Sequence, residues 1–253
     1  MTKPKIALIT GGSRGIGRST AEALARRGIA SIITYQAQAN AAEEVVAEIA
    51  SLGQTAIALP LDVAQPATFA DFAARVRGVL QTTWGVERID YLVNNAGSGI
   101  YSSVADTTEA DLDRMFAEHV KGVVLLTQAL LPVLSDGGRI INLSSGLARF
   151  AMAGTAPYAI MKGAIEVFTR VLAKEVGARG ITVNTVAPGA VATDFGGGRL
   201  RDSAEMQQIV AGNTALGRTA TAEDIGPMIA ALLAEENGWV NAQRIEVSGG
   251  MLI

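Results

Sequence analysis

Lys5-Ile6-Ala7-Leu8-Ile9 is a short apolar run that passes at once into Thr10-Gly11-Gly12-Ser13-Arg14-Gly15-Ile16-Gly17. The next stretch, Arg18 to Gly28, places Ala21, Leu24 and Ala25 at helical spacing. A buried strand, a glycine turn and an amphipathic helix in that order commit the chain to a βα unit. Glycines let the backbone turn tightly and approach a pyrophosphate, and the helix that follows offers free N–H groups at its positive end. That context makes the turn a candidate dinucleotide site; a turn that merely joins two elements is the alternative.

The same alternation continues along the chain. Strands are expected at Ser31–Tyr35, Thr55–Leu61, Ile89–Val93, Gly138–Leu143, Ile181–Val186 and Arg244–Val247. Helices are expected at Ala41–Leu52, Pro66–Leu80, roughly Glu109–Leu134 and Tyr158–Val176. Seven strands alternating with helices predict an α/β fold, a doubly wound, mostly parallel sheet with helices on both faces. At 253 residues, 49% apolar and 18% charged, the chain can fill one large core, so residues 1–253 are read as a single domain. Ligands in such sheets bind beyond the C-terminal strand ends. The glycine turn, Asp62, the loop Asn94-Asn95-Ala96-Gly97, Ser145 and Pro188-Gly189 each follow a predicted strand.

Several function classes are disfavoured. A net charge of −3 gives no general attraction to nucleic acid or anionic membranes. With no cysteine there is no disulfide, thiolate nucleophile or zinc-thiolate site, and no metal site is expected. The run around Val123–Leu134 is interrupted by Thr127, Gln128 and Pro132, so no stretch is expected to span a membrane. The first strand begins within five residues of Met1, which leaves no room for a signal peptide and makes the cytoplasm the expected location.

Tyr158 and Lys162 stand four residues apart, and Ser145 lies thirteen before the tyrosine. On a helix, i and i+4 share a face, so the ammonium can stand beside the phenol. A phenol titrates near pH 10, and acid–base work near neutrality requires a value about three pH units lower, worth about 4 kcal/mol. A unit charge about 4 Å away at an effective dielectric near 20 supplies roughly that.

Together, Thr-Gly-x-x-x-Gly-x-Gly, Asn94-Asn95-Ala96-Gly97, Ser145, Tyr158-x-x-x-Lys162, Pro188-Gly189 and the terminal Val247-Ser248-Gly249-Gly250 resemble the short-chain dehydrogenase/reductase family, and its 3-oxoacyl-carrier-protein reductase-like branch in particular. The resemblance covers essentially the whole chain and implies a Rossmann fold. It implies that Tyr158 exchanges a proton with the substrate oxygen as hydride moves, that Lys162 lowers the tyrosine pKa and holds the nicotinamide ribose, and that Ser145 holds the substrate oxygen. For the cofactor it implies Gly11, Ser13, Arg14, Ile16 and Gly17 around the phosphates and ribose. Tyr35, Gln36, Asp62 and Val63 would stand toward the adenosine, with Asn94, Ala96 and Gly97 alongside. Pro188, Gly189, Val191 and Thr193 would meet the carboxamide and pyrophosphate. A capping or turn role is the alternative for Asp62. Homotetramers built on the helices around Glu109–Leu134 and Tyr158–Val176 are also implied.

Charge bears on the cofactor. NAD enzymes of this architecture usually place an acid at the end of the second strand to bind the ribose 2′-OH. Tyr35 and Gln36 stand there, and no acid appears before Glu43. NADP(H) is therefore expected, with Arg14 a candidate phosphate contact, unless it only pairs on the surface. One departure from the family is His119, the single histidine, where an asparagine is common. A proton-relay role and a buried structural role are both open to it. The substrate pocket is expected between Ser98–Tyr101, Leu147–Met152 and a loop at about 190–213. Ile100, Tyr101, Leu147, Phe150, Met152 and Phe195 form an apolar wall, or simply packing. Arg149, Arg199 and Arg201 could greet an anion or stay solvated. These features predict an NADPH-dependent carbonyl reductase acting on a small ketone or secondary alcohol. An NAD-dependent alcohol or sugar dehydrogenase and a non-catalytic NAD(P)-binding regulator are the alternatives.

Overall fold

The computed structural model describes residues 4–253. Strands β1 (Ile6–Ile9), β2 (Ala30–Tyr35), β3 (Ala56–Pro60), β4 (Ile89–Asn94), β5 (Leu134–Leu143), β6 (Thr182–Pro188) and β7 (Arg244–Val247) form one sheet in the order β3-β2-β1-β4-β5-β6-β7. Every pairing is parallel. All carboxyl ends therefore open on one edge, and the order reverses direction between β1 and β4.

Alternation along β1 shows how the two faces are filled. Ile6 and Leu8 pack into a layer with Phe72 and Val76 of α3 (Phe69–Val79), with Leu126 and Leu130, and with Leu172 and Val176. Ala7 and Ile9 face the opposite layer, with Leu24 of α1 (Gly15–Ala25) and Val45 and Ile49 of α2 (Ala39–Ser51). A strand buried on both faces reads as a continuous apolar run, as Ile-Ala-Leu-Ile does. Each fully buried Leu or Ile contributes roughly 1.5–3 kcal/mol.

The helices differ from expectation in three places. Glu109–Leu134 is not one regular helix: α4 (Glu109–Phe116) and α5 (Gly122–Leu130) are joined through a wide π-helical turn, Ala117–Lys121, and β5 begins at Leu134. A π turn inside a helix is uncommon and recurs at functional sites. After α6 (Ala156–Val176), the sequence gives no helix before β7, yet the structure has α7 (Arg199–Asp202), α8 (Ala204–Gly212) and α9 (Ala222–Leu232). Gly226 of α9 explains the close packing on α1, because a Cβ there would meet Ser19 Oγ at 2.4 Å. Third, the helical run Glu109–Val133 contains an 18-residue window with a mean hydropathy of 1.2, long and apolar enough to cross a membrane by length and composition, contrary to expectation. Thr127 and Gln128 do not break it, since its remaining positions are apolar enough to carry the average. Its buried positions, Met115, Leu126 and Leu130 among them, belong to the interior of this fold.

Candidate active site

A cavity of about 1140 Å³ runs along the carboxyl edge of the sheet. At one end is the glycine turn. Gly11 adopts φ +64°, open to glycine at no cost, and a Cβ on Gly17 would lie 2.3 Å from the Gly11 carbonyl oxygen. Thr10 and Asn95 lock this turn. Thr10 Oγ1 accepts from the backbone N–H groups of Asn95 and Ala96, both at 2.9 Å. Asn95 Nδ2 donates to the carbonyls of Thr10 at 2.8 Å and Gly11 at 3.1 Å. α1 starts directly behind, with no side-chain cap and no acidic residue in its first turn. Its first N–H groups thus remain available to an anion, and the turn fits a dinucleotide pyrophosphate.

Gly11, Ser13, Arg14 and Ile16 line the cavity, as do Tyr35 and Gln36 at the end of β2. Asp62, Val63, Ala96 and Gly97 form its floor, and Pro188, Gly189, Val191 and Thr193 its far side. Gly17 and Asn94 do not line it. Gly17 is spent on close packing against Gly11. Asn94 points into the core, where its Nδ2 donates to Thr127 Oγ1 at 3.0 Å and Asn142 Oδ1 at 2.8 Å. Asn142 continues to Thr169, which also accepts from Thr185, so Asn94 ends a buried polar ladder rather than a ligand site. Asn95, not Asn94, is the side chain that shapes the turn. Asp62 Oδ1 accepts from Ala64 N at 2.9 Å, a turn contact made while the residue also borders the cavity.

Deeper in, the structure brings Ser145, Tyr158, Lys162 and His119 together. Ser145 lies two residues past the end of β5, capping the short turn Gly146–Ala148, and its hydroxyl accepts from Leu147 N at 3.2 Å. Tyr158 and Lys162 share one face of α6, with Lys162 Nζ 5.3 Å from the phenol ring centre. The ammonium is turned to the carbonyl of Leu143, to which it donates at 2.8 Å. Burial lowers the Lys162 pKa to about 7. Burial also holds Tyr158 well above its ordinary value, helped by Tyr101 nearby and opposed by a hydrogen bond with Ser145. This runs against the expected downward shift: with the site as it stands, burial is the largest influence on the phenol and favours its neutral form.

His119 sits in the π turn, 1% exposed. Its ring meets Tyr158 edge-on, centres 5.3 Å apart. Nε2 lies 2.6 Å from the Ser98 carbonyl, which can only accept, so Nε2 carries the proton. Nδ1 is then a bare acceptor, buried without a partner. Burial, with the Lys162 charge, lowers the His119 pKa to about 3. With its one N–H tied to a backbone carbonyl, the ring makes the hydrogen bond expected of a buried structural histidine, and its other nitrogen stands without a partner.

Tyr101 and Phe195 cover Tyr158 from the mouth, with ring centres 6.1 and 5.5 Å from it. Leu147, Phe150 and Met152 continue the wall, joined by Met206 from α8, which sequence reasoning omitted. Ile100 is not part of it; it packs with Met115 and Met161 beneath the tyrosine. Of the three loop arginines only Arg199 borders the cavity. Arg201 is paired with Asp194 and Asp202, and Arg149 with Glu246. Asp194 also reaches Arg14 at 3.4 Å, so Arg14 stands at the glycine turn with a surface partner.

Residues 11–252 match the family described as Enoyl-(Acyl carrier protein) reductase. A short-chain dehydrogenase/reductase of Pestalotiopsis microspora is 37% identical over 257 residues, covering 97% of this chain and 94% of that protein. Among solved structures, the promiscuous reductase LugOII, which catalyses keto-reduction at C1 during lugdunomycin biosynthesis, superposes with a TM-score of 0.94 at 36% identity over 99% of both chains. The angucycline C-6 ketoreductase LanV, crystallised with NADP, gives 0.92 at 35% identity over 98% of this chain and 95% of that one.

Proposed function

We propose that this chain, which belongs to the short-chain dehydrogenase/reductase family, reduces a ketone to a secondary alcohol with NADPH, Tyr158 supplying the proton. The observation that carries this reading is the Tyr158 phenol, walled by Tyr101 and Phe195 with Lys162 beside it, opening on the same cavity as the glycine turn. Bound NADPH supplies the hydride. Ser145 holds the ketone oxygen, where negative charge develops, and Tyr158 donates its proton to that oxygen. Burial favours the neutral phenol with which a reductive turnover starts, and proton donation then requires the phenolate to be stabilised. Lys162, also buried, stabilises the phenolate that remains and is the nearest group able to return a proton at neutral pH. His119 holds the Tyr158 ring without titrating.

Arg14 and the absence of an acid at Tyr35-Gln36 favour NADPH over NADH, and LanV binds NADP. Tyr101 and Phe195 suit a flat, polycyclic aromatic ketone, because aromatic rings gain from offset or edge contacts beyond area alone; LugOII catalyses a keto-reduction in lugdunomycin biosynthesis and LanV is an angucycline C-6 ketoreductase. Leu112 and Phe116 on α4, and Ile160, Val167 and Val171 on α6, are exposed, which supports a homotetramer assembled on those helices.

Consumption of NADPH and NADH against a panel including 1-tetralone and cyclohexanone tests the reading. Wild type should reduce the bicyclic ketone faster and prefer NADPH. Tyr158→Phe should bind NADPH normally and lose at least about a hundredfold in kcat. Equal binding with no turnover by either protein would favour a regulator instead. Light scattering in solution decides the assembly.

A further inference from the structure

Behind Ser145 lies a row of four charged side chains, none of which lines the cavity. Arg149 Nε is 2.7 Å from Glu246 Oε2, and Arg244 Nη1 is 3.1 Å from the same oxygen. Arg244 Nε is 2.6 Å from Glu166 Oε1, an oxygen that also accepts from Ser144 Oγ at 2.8 Å. The third nitrogen of the guanidinium, Nη2, donates to the backbone carbonyl of Ser145 at 3.2 Å. Arg244 therefore uses its whole fork: one arm on α6, one on its own strand β7, one on the serine turn.

The two ends of that fork matter for chemistry. Glu166 stands one helical turn beyond Lys162 on the helix that carries Tyr158. Ser144 Oγ also reaches the Lys162 carbonyl, at 3.3 Å. The serine turn itself is short, with Ser145 Oγ capping Gly146–Ala148 through Leu147 N. Arg149, at the end of the turn, is held by the same Glu246 and donates to the Met251 carbonyl at 3.1 Å. Side-chain exposure is 21% for Arg244 and 13% for Glu166, so the pair is shielded, not a solvated surface contact. A planar guanidinium fixes three directions at once; an ammonium does not.

We propose that Arg244 is a positioning residue for catalysis: by joining the Ser145 carbonyl to Glu166 it sets where the Ser145 hydroxyl stands relative to Tyr158 and Lys162. This rests on the ketoreductase reading for its kinetic consequence, though not for its structural one.

Arg244→Met and Arg244→Lys, each with and without Ser145→Ala, test it. Arg244→Met should lower kcat for the ketone about tenfold to a hundredfold, the cost of misplacing a reacting group by about 1 Å, while NADPH affinity stays within about twofold. In the Ser145→Ala background the same change should cost little more, because the hydroxyl it positions is gone. Arg244→Lys should recover only part of the rate. Hydrogen exchange at the Leu147 amide should quicken in Arg244→Met while α1 amides are unchanged. A wild-type kcat in Arg244→Met, additive losses with Ser145→Ala, or unchanged exchange at Leu147 would each overturn the proposal. If the wild-type protein turns over no ketone, the ketoreductase reading falls, and the exchange rate alone decides this one.

Discussion

Gly97→Ala is the sharpest test of the packing around Tyr158. A Cβ on residue 97 would stand 2.2 Å from His119 Cε1 and 2.8 Å from Nδ1. Non-bonded carbons settle at about 3.5–4.0 Å, so the ring would have to retreat by about 1.3 Å or more. It has nowhere cheap to go. Its N–H is bonded to Ser98 at 2.6 Å, and its edge abuts Tyr158. Overpacking of this kind costs about 1–3 kcal/mol. In a chain of this size, that lowers Tm by roughly 2–12 °C. The backbone at Gly97, φ +158°, also disfavours a side chain, and that cost must be separated from the clash. A double-mutant cycle does so, because strain at residue 97 is common to both backgrounds and cancels. In His119→Ala the new methyl has room, so Gly97→Ala should cost about 1–3 kcal/mol less there than in wild type. Urea melts of the four proteins give the coupling, and kcat should fall about a hundredfold in Gly97→Ala if Tyr158 is pushed by about 1 Å. A coupling energy indistinguishable from zero would refute the claim that His119 and Gly97 share one fixed space.

Stability should depend on pH through Lys162 and Tyr158. The folded state binds the Lys162 proton less tightly than the unfolded state, so stability should rise from pH about 7 toward about 10, then fall as the unfolded tyrosine ionises and the buried one does not; Lys162→Met should flatten the rise in urea melts. Asn142→Leu removes the acceptor of Asn94 Nδ2 and the donor to Thr169, and should cost about 1–3 kcal/mol in the same assay, with little change in NADPH affinity. Gln36→Asp places a carboxylate at the end of β2 and should raise KM for NADPH by about tenfold while leaving NADH nearly unchanged; equal effects on both would show that the 2′-phosphate lies elsewhere.

The sheet was legible because strands buried on both faces leave apolar runs between turns. α9 was not, since Gly226 and Pro227 interrupt its pattern; the glycine is there for α1, a contact far away in sequence. Tyr158, Lys162 and Ser145 were legible as spacing on one helix and one strand end. Asn94 and Asn95 are adjacent, and only the direction in which β4 presents each side chain separates a core ladder from a turn clamp. The tyrosine's upward shift was hidden because it comes first from burial, under rings such as Tyr101 and Phe195 that the fold brings over the phenol. Arg149 looked free because its partner Glu246 is brought in by the fold from far along the chain, whereas Arg201 has a partner in its own neighbour Asp202.

The sheet order also has a consequence for how the protein must be made. Ala7 pairs with Ser31 on one side and with Tyr91 on the other. The ribosome delivers β1, β2 and β3 in turn, and β4 only afterwards, so one edge of β1 waits bare for several seconds at about 5–20 residues per second. That edge belongs to Ile6–Ile9, four residues wholly buried in the finished fold. A naked apolar edge is a template for pairing with any neighbouring chain. The yield of active protein therefore depends on whether the emerging strand is shielded until residue 89 arrives, and slowing translation within residues 36–88 should send more of it into aggregates even though the completed sequence is unchanged.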